Sequence, residues 1–435
     1  MQSGSVGLSQ KLSRPIDGAS VVATSAPGSA GKWTQMLISQ PAGLTAVVLA
    51  STSTRSGVLT GKGVEIPLSR QDEREFVFVD FSAMNNILHH EPQDQVVSVQ
   101  TGITLKELNA YLATYGQCFP VCAPGETTLL ELINCGDGGP LEHGYGPVRD
   151  LVLGLDCITG GGTSIKSGGI VVKNVTGYDT TKLIVGSHGT LALPYAAHLR
   201  LFARPEKTAS VIFHAGKPED LLLLAGDLIG ADLALVCCEL LDLTALKSSS
   251  QDRSGARFQL PELTVKLAQR ISDYALIVRL AGHEELVKEL IPQVRTFKRD
   301  GTTNLELSVE DAEALIQFCA IRKYPRLELS ASLSEFQSLL SEWLSGGNST
   351  AFQYRPSTGR AFFYAQDLSA LIELNDSLKS YLVRKGAPDT VAMAASELEY
   401  EIEYLGADIK KISQIKASLK ERFDPSGCLN PLAVL

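Results

Sequence analysis

Apolar and polar positions alternate in two registers along this chain, and the registers mark its elements. Leu44 to Leu49, Phe76 to Asp80 and Gln95 to Gln100 are short runs of strand length and composition. After Thr101-Gly102-Ile103, Leu105, Leu108 and Leu112 recur at helical spacing, and Thr104 with Glu107 forms a capping-box pattern at the start of that helix. Leu151 to Thr159 is apolar enough for a buried strand, which Gly160-Gly161-Gly162 then turns. This α/β pattern ends near Arg204-Pro205. Beyond it, strand-like stretches at Val211 to Phe213, Leu233 to Cys238, Ala275 to Leu280, Arg326 to Ser330 and Ala361 to Ala365 alternate with helix-like ones at Asp220 to Leu228, Glu284 to Val294 and Ser334 to Leu344. A helix from Asp367 carries Leu371, Leu374, Leu378 and Leu382 on one face. This second region reads as α+β, made of two similar halves. Last, Asp408 is placed to cap a helix with Ile409, Ile412, Ile415 and Leu419 inward. Its Lys410, Lys411, Lys416, Lys420 and Arg422 read as a solvated face, or else as a docking surface.

Composition narrows the class. A chain of 435 residues is long enough for two or three domains, and its formal charge of −9 argues against nonspecific nucleic-acid binding. No run of about 18 residues is apolar throughout, and the start of the chain has no secretory pattern, so neither a transmembrane segment nor a signal is expected. The eight scattered cysteines, with Cys237 and Cys238 adjacent, point to reduced thiols in a cytoplasmic protein. Residues 1–35, rich in Ser, Gly and Ala, read as a flexible arm.

The densest motif runs from Tyr145 to Pro205 and contains YGPVRDLVLGL followed by VKNVTGYDTTKLIVGSHGTL; the chain closes with LKERFDPSGCLNP. Together these strings resemble the flavin-linked oxidase family with a PCMH-type FAD-binding domain, and within it the FAD-binding subunits of glycolate oxidase. The resemblance implies an α+β fold: an FAD-binding domain of two α/β subdomains over 36–205, a second, cap-like α+β domain over 206–400, and a helix and tail over 401–435 that return to the first. It also implies noncovalent FAD, oxidation of a 2-hydroxy acid such as glycolate or D-lactate, and two partners, a larger flavoprotein subunit and an iron–sulfur subunit.

By the same resemblance the cofactor contacts are Ser51, Thr52, Ser53 and Thr54 in a phosphate loop; Gly102; Thr128, Asn134, Gly136 and Gly139; Asp150; Gly189, Thr190 and Leu193; and Asn430. An ordinary serine/threonine turn is the other reading of 51–54, and a structural clasp is the other reading of the tail. Lys173, Asn174, Gly177, Tyr178, Asp179 and Lys182 also match, with Asp179 placed to cap the helix that holds Lys182 and Leu183.

Two stretches depart from the family pattern. Leu130 and Glu131 stand where the family has a Gly-Gly pair against the cofactor; a carboxylate repels a diphosphate, and two side chains take up ligand volume. Ala192-Leu193-Pro194-Tyr195 replaces a glycine and β-branched run, and Pro194 removes a backbone donor. Two functions follow: an FAD-linked oxidoreductase subunit, or a non-catalytic subunit that has kept the fold and lost its flavin. If Leu130 and Glu131 point outward the pocket stays open; if inward, FAD is excluded.

Other chemistry is sparse. No histidine has metal-ligand spacing, and His283-Glu284-Glu285-Leu286-Val287 lacks the second histidine of a zinc-protease helix. His89 and His90 are expected in an exposed loop, Cys118 and Cys122 as buried thiols, and no residue stands out as a catalytic base.

Overall fold

The computed structural model describes residues 84–170, 179–244, 271–320, 326–345 and 351–364, with shorter stretches at 21–25, 44–50, 75–81, 392–395, 403–404 and 409–425, a few residues between 370 and 380, and Leu429. Most of the 1–35 arm, Ser51 to Thr54, Lys173 to Tyr178, most of the helix expected from Asp367, Asp408 and Asn430 lie outside the described residues.

The first region holds two sheets. Three parallel strands, β1 (Val21–Ser25), β2 (Leu44–Ala50) and β3 (Glu75–Asp80), pair in the order β1-β3-β2. The second sheet is antiparallel and uses β4 (Ile87–Glu91), β5 (Val96–Gln100), β7 (Val152–Thr159), β8 (Ser164–Gly168) and β9 (Ala192–Arg200) in the order β4-β5-β9-β7-β8. A short pair, β6 (Gln117–Cys118) with β10 (Phe202–Ala203), sits apart. Helix α1 (Leu105–Ala113) starts as its sequence predicts: Glu107 N donates to Thr104 Oγ1 at 3.1 Å, and Thr104 N donates to Glu107 Oε2 at 2.9 Å. Its Leu105, Leu108 and Leu112 are buried in one core with Val97, Leu155 and Leu199 of the antiparallel sheet.

His89 and His90 lie in β4 and not in a loop. β4 is an edge strand, where polar residues do not interrupt a core. His90 is held there, its Nε2 2.9 Å from Gln117 Oε1 and its ring edge-on to Tyr115 at 4.6 Å.

The second region is one sheet of nine strands. Its first half comprises β11 (Lys207–Ala215), β12 (Leu235–Asp242), β13 (Tyr274–Gly282) and β14 (Thr303–Glu306), ordered β14-β11-β13-β12. Its second half comprises β15 (Arg326–Ser330), β16 (Phe352–Arg355), β17 (Arg360–Tyr364) and β18 (Ala392–Ala395), ordered β16-β17-β15-β18, with β19 (Glu403–Tyr404) added at the edge. Numbered within each half, the orders are 4-1-3-2 and 2-3-1-4, mirror listings of one topology. The second strands of the two halves, β12 and β16, join antiparallel through Leu240–Tyr354 and Leu241–Gln353. The two halves expected from sequence are therefore visible in the strand order.

Side chains alternate across this sheet as the strand period requires. One face presents Val211, Phe213, Leu240, Leu276, Val278, Tyr354 and Phe363 to helices α3 (Pro218–Gly230), α4 (Glu284–Thr296) and α6 (Leu333–Ser345). On the opposite face, Ile212, Cys237, Leu241 and Ile277 pack with helix α5 (Val309–Cys319) and with Cys122 of the first region.

The chain closes with α7 (Ile409–Phe423), and two expectations about it need correcting. Ile415 is exposed, so the inward stripe omits it. Lys420 is not part of a solvated face: its Nζ donates to Thr190 O at 2.6 Å and Leu429 O at 2.8 Å, and pairs with the buried Asp424 at 2.7 Å. A lysine in the last helical turn reaches carbonyls that the helix leaves unpaired, and here it reaches across to another segment. Gly160 N donates to Phe423 O at 2.9 Å, and a Cβ on Gly160 would meet Asp424 Oδ1 at 1.9 Å. The tail is fastened to the turn after β7, with Asp424 as its clasp.

Candidate functional site

The site is built on helix α2 (Leu129–Cys135) and the loops at its two ends. Thr128 is the N-cap. Its Oγ1 accepts from Glu131 N at 3.3 Å, and Glu131 Oε2 accepts in return from Thr128 N at 2.7 Å. The carboxylate that replaces glycine is thus folded back onto its own helix N-terminus, where helix partial charge and free N–H groups favour an anion. Leu130 is fully buried, so the outward arrangement expected for an open pocket is not met at this residue; its N donates to Thr101 O at 2.8 Å.

The far end of α2 stops at Gly136, whose φ of 66° requires glycine. A Cβ there would also lie 3.0 Å from Gly186 Cα. The two segments are tied by Gly186 N to Ile133 O at 2.8 Å and His188 N to Asn134 O at 2.9 Å. Thr190 Oγ1 closes the second loop on Ser187 O at 2.7 Å. Asn134, Gly136 and Thr190, all expected at the cofactor, are thereby brought together, and Gly189 lies in the same loop with φ 72°. Asn134 Oδ1 and Ser187 Oγ are both buried with no hydrogen-bond partner. A buried acceptor and a buried hydroxyl left open are costly, and two of them in joined loops mark a place for a polar ligand. Ser187 was not among the residues singled out from sequence; its place beside Gly186 in the glycine-rich string was the available signal.

Other expected contacts serve the chain itself. A Cβ on Gly102 would sit 1.8 Å from Phe81 O, and one on Gly139 would sit 2.1 Å from Cys122 O, so both glycines permit backbone crossings. Leu193 is buried in β9, and Asp150 pairs with Lys182 at 3.2 Å. The short helix that holds Lys182 begins at Thr181, with Thr180 at its N-cap and no side-chain cap bond, so Asp179 does not cap it. Cys122 is buried, and burial pushes its thiol up to about 12, whereas Cys118 is only half buried.

The loop after α2 is gripped from the second region by charges that sequence did not single out. Arg355 Nη1 donates to Asp137 Oδ1 at 2.5 Å and lies 3.6 Å from Glu142 Oε2, and its Nε donates to Glu239 Oε1 at 2.8 Å. Arg360 adds Asp137 and Glu142 at 3.4 and 3.5 Å and holds Glu328 with two hydrogen bonds, at 2.7 and 3.1 Å. Both guanidiniums lie over the Phe362 ring, at 5.0 and 5.2 Å. Gln353 Nε2 donates to Glu239 Oε2 at 2.6 Å, and Tyr364 donates to Gln353 Oε1 at 2.7 Å. Asp137, Glu142, Glu239 and Arg355 are all buried.

Four carboxylates face two guanidiniums, so the cluster does not hold every carboxylate ionised. Burial pushes Glu239 up to about 7 against the pull of Arg355 and Gln353, and burial with the neighbouring Asp137 raises Glu142. Burial alone would lower Arg355; Asp137, Glu239 and Glu142 reverse that and hold it charged. The arrangement fixes Asp137-Gly138-Gly139 against the nine-stranded sheet.

Comparison with known proteins places this geometry. Residues 44–178 match the family model described as an FAD binding domain, so the chain carries an FAD-binding domain of the PCMH type. It is 35% identical over 137 residues to glycolate oxidase subunit GlcE of Escherichia coli, covering 31% of this chain and 39% of that one. It is 30% identical over 168 residues to glycolate oxidase subunit GlcD of Bacillus subtilis, covering 38% and 36%. The chain thus matches less than half the length of these relatives. Among solved structures, alkyldihydroxyacetonephosphate synthase superposes with a TM-score of 0.63 at 15% identity, covering 94% of this chain and 75% of that one; at this identity it shows the fold. The chain is therefore a relative of FAD-linked oxidoreductases, and FAD is the cofactor its domain supports. Among the described residues no group of His, Cys, Asp and Glu would hold a metal, and no helix is long and apolar enough to cross a membrane.

The residues present fit FAD at one end of the site. The open Asn134 Oδ1 and Ser187 Oγ suit the polar edge of a flavin ring. The N-terminus of α2 does not suit its phosphates, because Glu131 already fills it.

Proposed function

We propose that this chain is an FAD-linked subunit of a 2-hydroxy-acid oxidoreductase of the glycolate oxidase kind, assembled with a larger flavoprotein subunit and an iron–sulfur subunit. The observation that carries the reading is the pair of open buried atoms, Asn134 Oδ1 and Ser187 Oγ, in two joined loops, the first inside the stretch that matches the FAD binding domain and the second just beyond it. When bound, FAD supplies the hydride acceptor. The chain's own residues do the placing. The Gly136–Gly186 contact brings the two loops within reach of one ligand, and Lys420 anchors Thr190. Arg355 and Arg360 hold the loop that follows Gly136. Phosphate recognition falls to Ser51 to Thr54, and Asn430 supplies a flavin-side contact.

The capping box favours a second reading, a structural subunit that keeps the fold without flavin. An absorbance spectrum of the purified chain, taken after FAD addition and desalting, separates the two. Retained flavin bands that are weakened in both Asn134→Leu and Ser187→Ala support the first reading. A protein that stays colourless overturns it. A flavin-bearing protein whose bands are bleached by glycolate only in the presence of the partner subunits would identify the chain as a subunit of the assembly.

A further inference from the structure

A cavity of about 370 Å³ opens between the first region and the nine-stranded sheet, beside the crossing point at Pro205. None of the residues expected at the cofactor lines it. Its apolar wall includes Phe119, Leu141 and Val236. Its charged groups are of one sign: Arg204 and Arg279, with the neutral polar residues Asn109, Gln117, Tyr145 and Thr208 and no carboxylate in the wall.

Arg279 is the built part of this site. It is more than nine-tenths buried, its Nε donates to Ser210 Oγ at 3.1 Å, and its Nη1 donates to Glu313 Oε2 at 3.1 Å. Those bonds fix the guanidinium plane and leave Nη2 without a protein partner. Glu313 stands half exposed outside the wall, so it screens the cavity from Arg279 only in part. Arg204 is exposed and makes no ion pair with any described residue. A buried, oriented guanidinium with a free nitrogen, a second arginine and an apolar wall form a complement to a carboxylate on a hydrocarbon body.

We propose that this cavity binds a small organic anion with an apolar body, a medium-chain monocarboxylate, at a site separate from the flavin loops. Its place between the two regions would let such a ligand bias how they pack. The proposal does not rest on the flavin reading.

The test uses the full chain with octanoate and, as an uncharged control, octanol, titrated by calorimetry. Octanoate is expected to bind about tenfold or more tightly than octanol, because a charge-assisted bond to guanidinium is lost in the control. Arg204→Gln, at an exposed position, and Ala113→Phe, which fills the wall, are each expected to weaken octanoate binding about tenfold, and neither should alter flavin retention. Equal binding of octanoate and octanol overturns the proposal, as does absence of octanoate binding or octanoate affinity that survives both substitutions.

Discussion

The first half of the nine-stranded sheet, β11 to β14, and the second, β15 to β18, share a strand order and both turn one face to the helical layer, yet their other faces differ. In the first half that face is largely apolar: Ile212, Cys237, Leu241 and Ile277 are sealed by α5 and Cys122. In the second half the same face carries Glu328, Gln353, Arg355, Arg360, Phe362 and Tyr364, and it meets the first region through ion pairs to Asp137 and Glu142. An apolar seal would have served stability at least as well, since buried ion pairs seldom repay their desolvation. What charges add is direction. Arg355 and Arg360 fix the position of the loop after α2, at whose near end the open Asn134 sits, whereas an apolar contact would let it slide. The second half, through these contacts, also positions the loop after α2.

The largest effect expected to test this contrast comes from the two buried arginines. Arg355→Met leaves the buried Glu239 without its cation and Asp137 with only its longer pair to Arg360, and should cost about 3–5 kcal/mol of stability. Arg279→Met in the first half releases the half-exposed Glu313 and one neutral hydroxyl, Ser210, and should cost less, about 1–2 kcal/mol. Urea denaturation of both variants reads the difference. Equal costs would mean that the two faces are energetically alike and the distinction fails.

A smaller effect, in pH, sharpens the contrast at the seam between the halves. Glu239 lies on β12 and bonds to Arg355 on β16, and burial pushes its carboxyl from the ordinary 4.5 up to about 7. A raised carboxyl binds its proton more tightly in the folded chain than in the unfolded one. Its contribution is therefore complete below about 4.5 and is lost as pH rises through about 7. Glu239→Gln should remove that slope, a relative change on the order of 3 kcal/mol across the window. Asp242, raised to about 6 by burial, titrates in both proteins and cancels in the difference. Wild-type and variant stability curves that run parallel from acid to neutral pH would refute the assignment.

The sequence made the elements readable and left the charged face hidden, for a physical reason. Helix and strand periods are local, so α1 with its Thr104–Glu107 box, strands such as β2, β3, β5, β7 and β13, and the doubling of the second region could be read directly, while β4, β9 and β16 were not. The Arg355–Asp137 pair joins residues 218 positions apart, and nothing near either one signals the other. Neither Asp137 nor Arg355 was singled out from sequence. Lys420 was misread for the same reason: its helix has a basic stripe, and only the folded tail brings Thr190 to it. In the cofactor loops the family strings led to Asn134, Gly136 and Thr190. They also led to Gly102 and Gly139, whose missing side chains make room for Phe81 and Cys122. A glycine needed by a ligand and one needed by a backbone crossing look alike in sequence.

The smallest effect expected tests the loop from its near end, where α2 begins. α1 and α2 carry the same capping box, Thr104 with Glu107 and Thr128 with Glu131, so each serves as the other's control. Glu107→Ala and Glu131→Ala should each cost about 1 kcal/mol, the worth of a lost cap. Only Glu131 sits where the family has glycine, so only its removal should change flavin retention, and the direction is upward, because a negative charge leaves the neighbourhood of a diphosphate. Glu131→Gln isolates that term: it keeps an acceptor for Thr128 N and removes the charge, so it should raise retention at less cost in stability. If Glu131→Gln leaves retention unchanged while Glu131→Ala lowers it, the box itself shapes the site. The arginines at the far end and the cap at the near end would then be two parts of one clamp on α2 and its loop.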